Sequence, residues 1–344
     1  MRGGLRTFAL FAYFALAGLA SIHFAHSYMV NLWEHIPATF EKLTDFTADK
    51  PFQNRVLPCL LAKALELPLD AAKEAFPWLP LGSGLDLAYM GLIGLSVFGL
   101  LFVFKELLVH FGGGWLAYPL SFTILYPTWV NHFWLNILRY PSDVPSLFFF
   151  ALGLLLLLRR RWVAYYVVFV FATLNRETSC FLTVAMLCLF WTRDNRREML
   201  QHWVAQVLIW LSLKGILSMV FLGNPGSVIE WHNLLSNFRL FEWFWEGTQV
   251  NMFGKLGGNA NWLFFSIGGL WLLVPFLWRG LPLQLRRLVW IIPLYALGYF
   301  LVTFVQEVRA WNEMVVLITL FVAVGLSDKL KLFMRGASRG QPAE

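Results

Sequence analysis

The feature that most constrains this chain is the recurrence of apolar runs close to the length of a bilayer crossing. A membrane-spanning helix needs roughly 20 mostly apolar residues, fewer where it is short or broken. Such runs lie near 8–31, 87–109, 115–135, 144–158, 162–174, 179–192, 203–222, 262–278, 288–305 and 314–326. Of the 344 residues, 58% are hydrophobic and only 14% charged. No soluble domain of this length needs so much apolar surface, but a bundle of lipid-facing helices does. The expected fold is all-α: a polytopic transmembrane helical bundle of about ten spans, with 1–344 forming a single integral membrane domain.

Charge fixes the expected orientation. Loops assigned to the cytoplasm contain Arg2, Arg6, Lys105, Arg159 to Arg161, Arg193, Arg196, Arg197, Arg279, Arg286, Arg287, Lys329, Lys331, Arg335 and Arg339, which is 16 basic residues against 5 acidic. The opposite side has 10 basic and 15 acidic residues, and Lys214 falls within a span. This is the asymmetry that the positive-inside rule requires, with both termini cytoplasmic. The net charge of +7 is therefore topological. It does not form a surface tract for nucleic acid. Ala15-Leu16-Ala17 offers a small-residue cleavage site, but apolar character continues to Trp33, favouring an uncleaved first helix. Cys59, Cys180 and Cys188 show no metal spacing. They read as small buried hydrophobes, and a Cys59–Cys180 disulfide stays open.

Two long segments face outward, roughly 32–86 and 223–261. In the first, Val56, Leu57, Leu60, Leu61, Ala64 and Leu65 recur at helical spacing with Lys63 and Glu66 opposite, predicting juxtamembrane amphipathic helices. Leu67-Pro68 divides them, and Asp70 caps the second. The other segment is aromatic and acidic, from Glu230 through Glu246, as suits packing at the interface.

Polar residues gather at five outer positions. The first holds Asp45, Asp49, Gln53, Asn54 and Arg55, and the second holds Arg139 and Asp143, where Asp143 also suits a helix cap before Pro145. The third, Asn175-Arg176-Glu177-Thr178, is the most informative. Between Arg161 and Arg193 lie 31 residues, about 46 Å as one helix against a hydrocarbon core of about 30 Å. Both flanking arginines favour the cytoplasm, so the chain must turn back between them. Arg176 and Glu177 then need partners or a wet cavity: an internal ion pair, or a site. The fourth position is the aromatic-acidic segment, and the fifth is Glu307, Arg309 and Glu313. Lys214 either snorkels or enters the cavity.

Arginine suits phosphate because its planar fork donates two hydrogen bonds at once. A nearby carboxylate can act as general base toward a hydroxyl. Three arginines and several carboxylates beside lipid therefore fit a polyprenyl-phosphate substrate, and equally a transporter.

With these features the chain resembles the membrane-embedded GT-C-fold glycosyltransferases, which take sugar from a polyprenyl phosphate on the outer side of the membrane. The likeness lies in a first outer loop with two juxtamembrane helices over about 53–76, and in acidic residues ahead of them. Gln53-Asn54-Arg55-Val56-Leu57-Pro58 and Asn175-Arg176-Glu177-Thr178 also look like segments of bacterial multi-pass proteins. The resemblance implies Asp49 or Asp45 as catalytic base and Arg139, Arg176 or Arg309 as phosphate ligands. Arg55, Asp143, Asn175, Glu177, Glu307 and Glu313 complete the substrate-binding set. It also implies a polyprenyl-phosphate lipid donor, a glycan or lipid acceptor, membrane lipids as surroundings, and the bacterial inner membrane as location. No cofactor is specified, and a divalent cation stays open. The family's acidic pair is adjacent or one residue apart, whereas Asp45 and Asp49 are four apart. A lipid-linked glycan polymerase or ligase would use the same groups. A transporter or flippase of a lipid-linked or anionic substrate would favour paired repeats, which are not found. A non-catalytic assembly partner would not need five polar clusters.

Overall fold

The computed structural model describes residues 2–31, 34–78, 82–134, 138–227, 234, 237–238, 265–303 and 307–339. Most of the second long outer segment, including its aromatic-acidic stretch, lies outside the described residues. The described chain is helical, with no strand beyond isolated bridge pairing such as that of Lys50 with Gly226. In order the helices are α1 (Arg2–Val30), α2 (Phe40–Thr44), α3 (Val56–Ala75), α4 (Gly84–His110), α5 (Ala117–Ser121), α6 (Leu125–Trp129) and α7 (Asp143–Leu158). There follow α8 (Trp162–Asn175), α9 (Phe181–Phe190), α10 (Arg196–Val220), α11 (Val274–Leu277), α12 (Leu283–Leu288), α13 (Ile291–Val302) and α14 (Asn312–Arg339).

Four segments are each long and apolar enough to cross a membrane: Thr7–Val30, Gly84–His110, Arg196–Val220 and Leu283–Val302. Their exposed residues include many large hydrophobes, such as Phe8, Phe11 and Leu19 on α1 and Leu208, Leu211 and Ile216 on α10. Such surfaces belong against lipid rather than water. At the centre, α4 packs on α1, α3 and α7, and α14 packs on α7. In α14, every residue from Met314 to Val324 is buried, as expected of a helix that is apolar all round.

The first outer loop differs from expectation. Residues 56–75 form one helix, not two, with Pro68 inside it. Proline there loses one backbone hydrogen bond, at a cost of about 3 kcal/mol or more, and packing of α3 along α4 outweighs it. Asp70 therefore caps no second helix. Instead its Oδ1 accepts the Gly84 N–H of α4 at 2.6 Å. A Cβ on Gly84 would lie 2.5 Å from that oxygen, so the contact needs glycine. Ser83 and Asp86 close the α4 capping box.

The expected hairpin is present. Trp162 at the start of α8 meets Phe190 at the end of α9, with ring centroids 5.9 Å apart. Gln206 of α10 ties the pair together: it accepts the Tyr165 hydroxyl of α8 at 2.7 Å and contacts Met186 Sδ of α9 at 2.9 Å. The turn is an extended Arg176 followed by the 3₁₀ segment Glu177–Cys180. At the opposite end of the bundle, Glu106 binds Lys105 at 2.5 Å and also pairs with Arg159.

Candidate functional site: a cationic cavity at the hairpin turn

The turn projects its two charges at different partners. Arg55, at the start of α3, grips Glu177 with Nη2–Oε1 2.5 Å and Nε–Oε2 3.1 Å. The Glu177 carbonyl accepts Trp210 Nε1 at 2.9 Å, which fixes the turn to α10. Arg176 points the other way, its Nη1 3.4 Å from Asp143 Oδ1. The same oxygen lies 3.5 Å from Arg309 Nη1. Arg309 Nη2 in turn donates to Glu307 Oε2 at 2.7 Å, and its guanidinium stacks on Tyr140 at 4.0 Å. The first, second, third and fifth expected polar segments thus meet in one network.

Two asparagines fix the backbone around these charges. Asn175 Nδ2 donates to the Ser142 carbonyl and Asn312 Nδ2 to the Asp143 carbonyl, each at 3.0 Å. The start of α7 is thereby clamped between the hairpin turn and the start of α14. Glu313, fully buried, accepts Tyr295 Oη at 2.5 Å and the Thr178 hydroxyl.

Beside this network is a cavity of about 400 Å³. Arg55, Arg176, Lys214 and Arg309 line it with Glu177 and Glu307, leaving two cations in excess. Its walls continue down α10 from Ser218 to Trp210 and down α13 from Val302 to Tyr295, about 12 Å along the helix. That lower part is mostly apolar or aromatic, including Phe181, Trp210, Gly298 and Val302. Lys214 donates to the Asn54 carbonyl at 3.1 Å, so its ammonium enters the cavity. Burial disfavours the Arg309 cation, but Glu307 and Asp143 more than offset it and raise its pKa, keeping it charged. A hollow of about 10 Å³ lies behind Arg176, against Ser146, Thr178 and Glu313, room for about one water molecule.

Other expected site residues lie elsewhere. Asp45 is exposed, 3.4 Å from Lys63. Asp49 is half-buried beside Gly226, and the cavity takes Pro51, Phe52, Asn54 and Arg55 from this segment but neither aspartate. Arg139 also stays outside the lining. It donates to the carbonyls of His132 at 3.3 Å, Tyr28 at 3.1 Å and Asn31, and stacks over Phe133 at 4.6 Å. Sequence reasoning passed over Tyr140, Trp210, Tyr295 and Tyr299. Tyr295 and Tyr299 are four apart in one apolar run, and that spacing alone puts both hydroxyls on one helix face.

Among the described residues, no group of three or more His, Cys, Asp or Glu is placed to hold a metal ion. The three cysteines are free thiols. The fold and cavity define a helical membrane protein with a charged, amphipathic cavity. The chain matches no protein-family model, no curated protein and no solved structure.

Proposed function

We propose that this protein is a membrane glycosyltransferase of about ten spans that moves a sugar from a polyprenyl-phosphate donor to a glycan or lipid acceptor on the extracytoplasmic side. The bacterial inner membrane is its location and both termini are cytoplasmic. One observation carries the reading: three arginines, with Lys214 reaching up from α10, head a cavity whose lower walls are mostly apolar or aromatic and formed by two membrane-length segments. A phosphate with a long hydrocarbon tail has this polarity. Stability does not account for the cluster, because buried ion pairs barely offset the desolvation of their charges. Such charges within a membrane bundle belong to function by default.

In this reading the acceptor oxygen attacks the anomeric carbon as the bond from that carbon to the phosphate oxygen breaks. The phosphate leaves with the electron pair toward the arginines. A carboxylate takes the hydroxyl proton. Glu307 fits that role best, since it lines the cavity and is a fifth exposed at its side chain, 21%. Glu177 has both oxygens held by Arg55, whereas Glu307 has only Oε2 held by Arg309, and Asp49, two residues from the cavity wall, ranks second.

The test is transfer from a panel of polyprenyl-phosphate sugars by the purified chain in liposomes. Glu307→Gln is expected to lower turnover by about 10²–10⁴-fold, the range for loss of a general base. Full activity in that variant would remove Glu307 from the mechanism. Absence of both transfer and donor binding across the panel would overturn the reading itself.

A further inference from the structure

Asp143 is outside the cavity lining, beside Arg176 and Arg309, and is wholly buried at the first residue of α7. No side-chain hydrogen bond reaches either of its carboxylate oxygens among the described residues. Its two neighbours, Arg176 Nη1 and Arg309 Nη1, stand at ion-pair range, 3.4 and 3.5 Å. Arg176 Nε and Nη1 and Arg309 Nε likewise find no acceptor among the described residues. The contrast with the other cavity cations is clear. Arg55 spends two nitrogens on Glu177, and Lys214 is tied to the Asn54 carbonyl, whereas Arg309 gives Nη2 alone to Glu307 and keeps Nε without an acceptor.

We infer that Asp143 is the resident counter-ion of Arg176 and Arg309, holding that pair for an anionic ligand with which it competes. The inference rests on the lipid-phosphate reading and assigns the anion to Arg176 and Arg309 among the four cations. The physics is a shared-partner argument. Two buried guanidiniums within ion-pair range of one oxygen need negative charge beside them, and Glu307 pairs with Arg309 alone of the two. With no ligand bound, Asp143 supplies it at a distance too long for strong hydrogen bonds. A phosphate offers three oxygens and closer bidentate contacts, so it takes over much of the guanidinium charge. Asp143 cannot leave, because Asn312 clamps its carbonyl. Its charge therefore lowers ligand affinity while keeping the empty site folded.

The test compares binding of a short prenyl phosphate with that of the corresponding prenyl alcohol, by titration calorimetry on the full chain in detergent micelles. In the wild type the phosphate is expected to bind at least tenfold more tightly. Arg176→Gln and Arg309→Gln each reduce that preference about tenfold while leaving alcohol binding unchanged. Asp143→Asn lowers the melting temperature without ligand, yet raises the phosphate preference several-fold. Arg176→Lys, which keeps the buried charge but loses the planar fork, serves if the glutamine variant does not fold, and it also lowers the preference. Equal wild-type binding of phosphate and alcohol defeats the lipid-phosphate reading and this inference with it. A preference that survives in both arginine variants defeats this inference alone, as does a weakened preference in Asp143→Asn.

Discussion

Arg55 and Glu177, 122 residues apart, meet in a two-pronged ion pair that fastens the first outer segment to the α8–α9 turn. This pair closes one side of the cavity. It also gives the carboxylate of the hairpin turn a fixed partner.

Removing one partner leaves the other charge partly desolvated. Arg55→Gln is expected to destabilise the protein by about 1–3 kcal/mol, read from urea or thermal unfolding in micelles. The loss stays below that for a wholly buried pair, because the Glu177 side chain is 36% exposed. Replacing both members, Arg55→Gln with Glu177→Gln, should recover part of the loss. No recovery would show that the pair contributes nothing as a pair.

The hairpin offers a cleaner cycle. Gln206 is fully buried and accepts the Tyr165 hydroxyl. Gln206→Leu orphans that hydroxyl, for an expected loss of about 1–3 kcal/mol. Adding Tyr165→Phe removes the orphan and should restore much of it, giving a coupling of about 0.5–3 kcal/mol. Additive losses would mean that the two residues stabilise α8 and α10 independently.

Gly298 tests what fills the cavity. Among the described residues, the one atom within 4 Å of a Cβ added there is Phe181 Cζ, at 3.4 Å, so a larger side chain grows into the cavity that Gly298 lines. Gly298→Leu should leave the unliganded melting temperature unchanged or raise it, since leucine favours helix over glycine by roughly 0.8 kcal/mol. It should also abolish stabilisation by a prenyl phosphate. Retained stabilisation would move the ligand away from α13.

Cys180 lines the cavity, whereas Cys59 is buried in a separate cluster and Cys188 lies outside the lining. With Cys59 and Cys188 replaced by alanine, an anionic thiol reagent added to the extracytoplasmic face should label Cys180 faster than a cationic one, and added salt should narrow the difference. Labelling only from the cytoplasmic face would invert the proposed orientation.

The sequence made the hairpin legible because two arginine-marked ends and a 31-residue tract leave no other path. It also marked Arg55, Arg176, Glu177, Glu307 and Arg309, since charge beside apolar runs is conspicuous. It did not reveal which charges share a space. Arg139 looked like a phosphate ligand, but its donors are consumed by backbone carbonyls near the end of α1. Asp49 looked like a base, yet its segment turns Pro51 and Phe52 toward the cavity instead. Helical periodicity cannot foresee such a turn. Pro68 misled for a different reason: its local preference to break a helix is real, and tertiary packing on α4 prevails over it.

The placement of α14 bears on how the molecule is made. Its buried stretch from Met314 to Val324 forms an axis for elements that precede it in the chain, α7 among them. During synthesis those helices are made before the surface they will pack against exists. Their inward polar groups, Asp143 and Arg176 included, must then be shielded by insertion machinery or by each other. Until α14 is made, the bundle lacks its axis, and Asp143 lacks both Arg309 and Asn312.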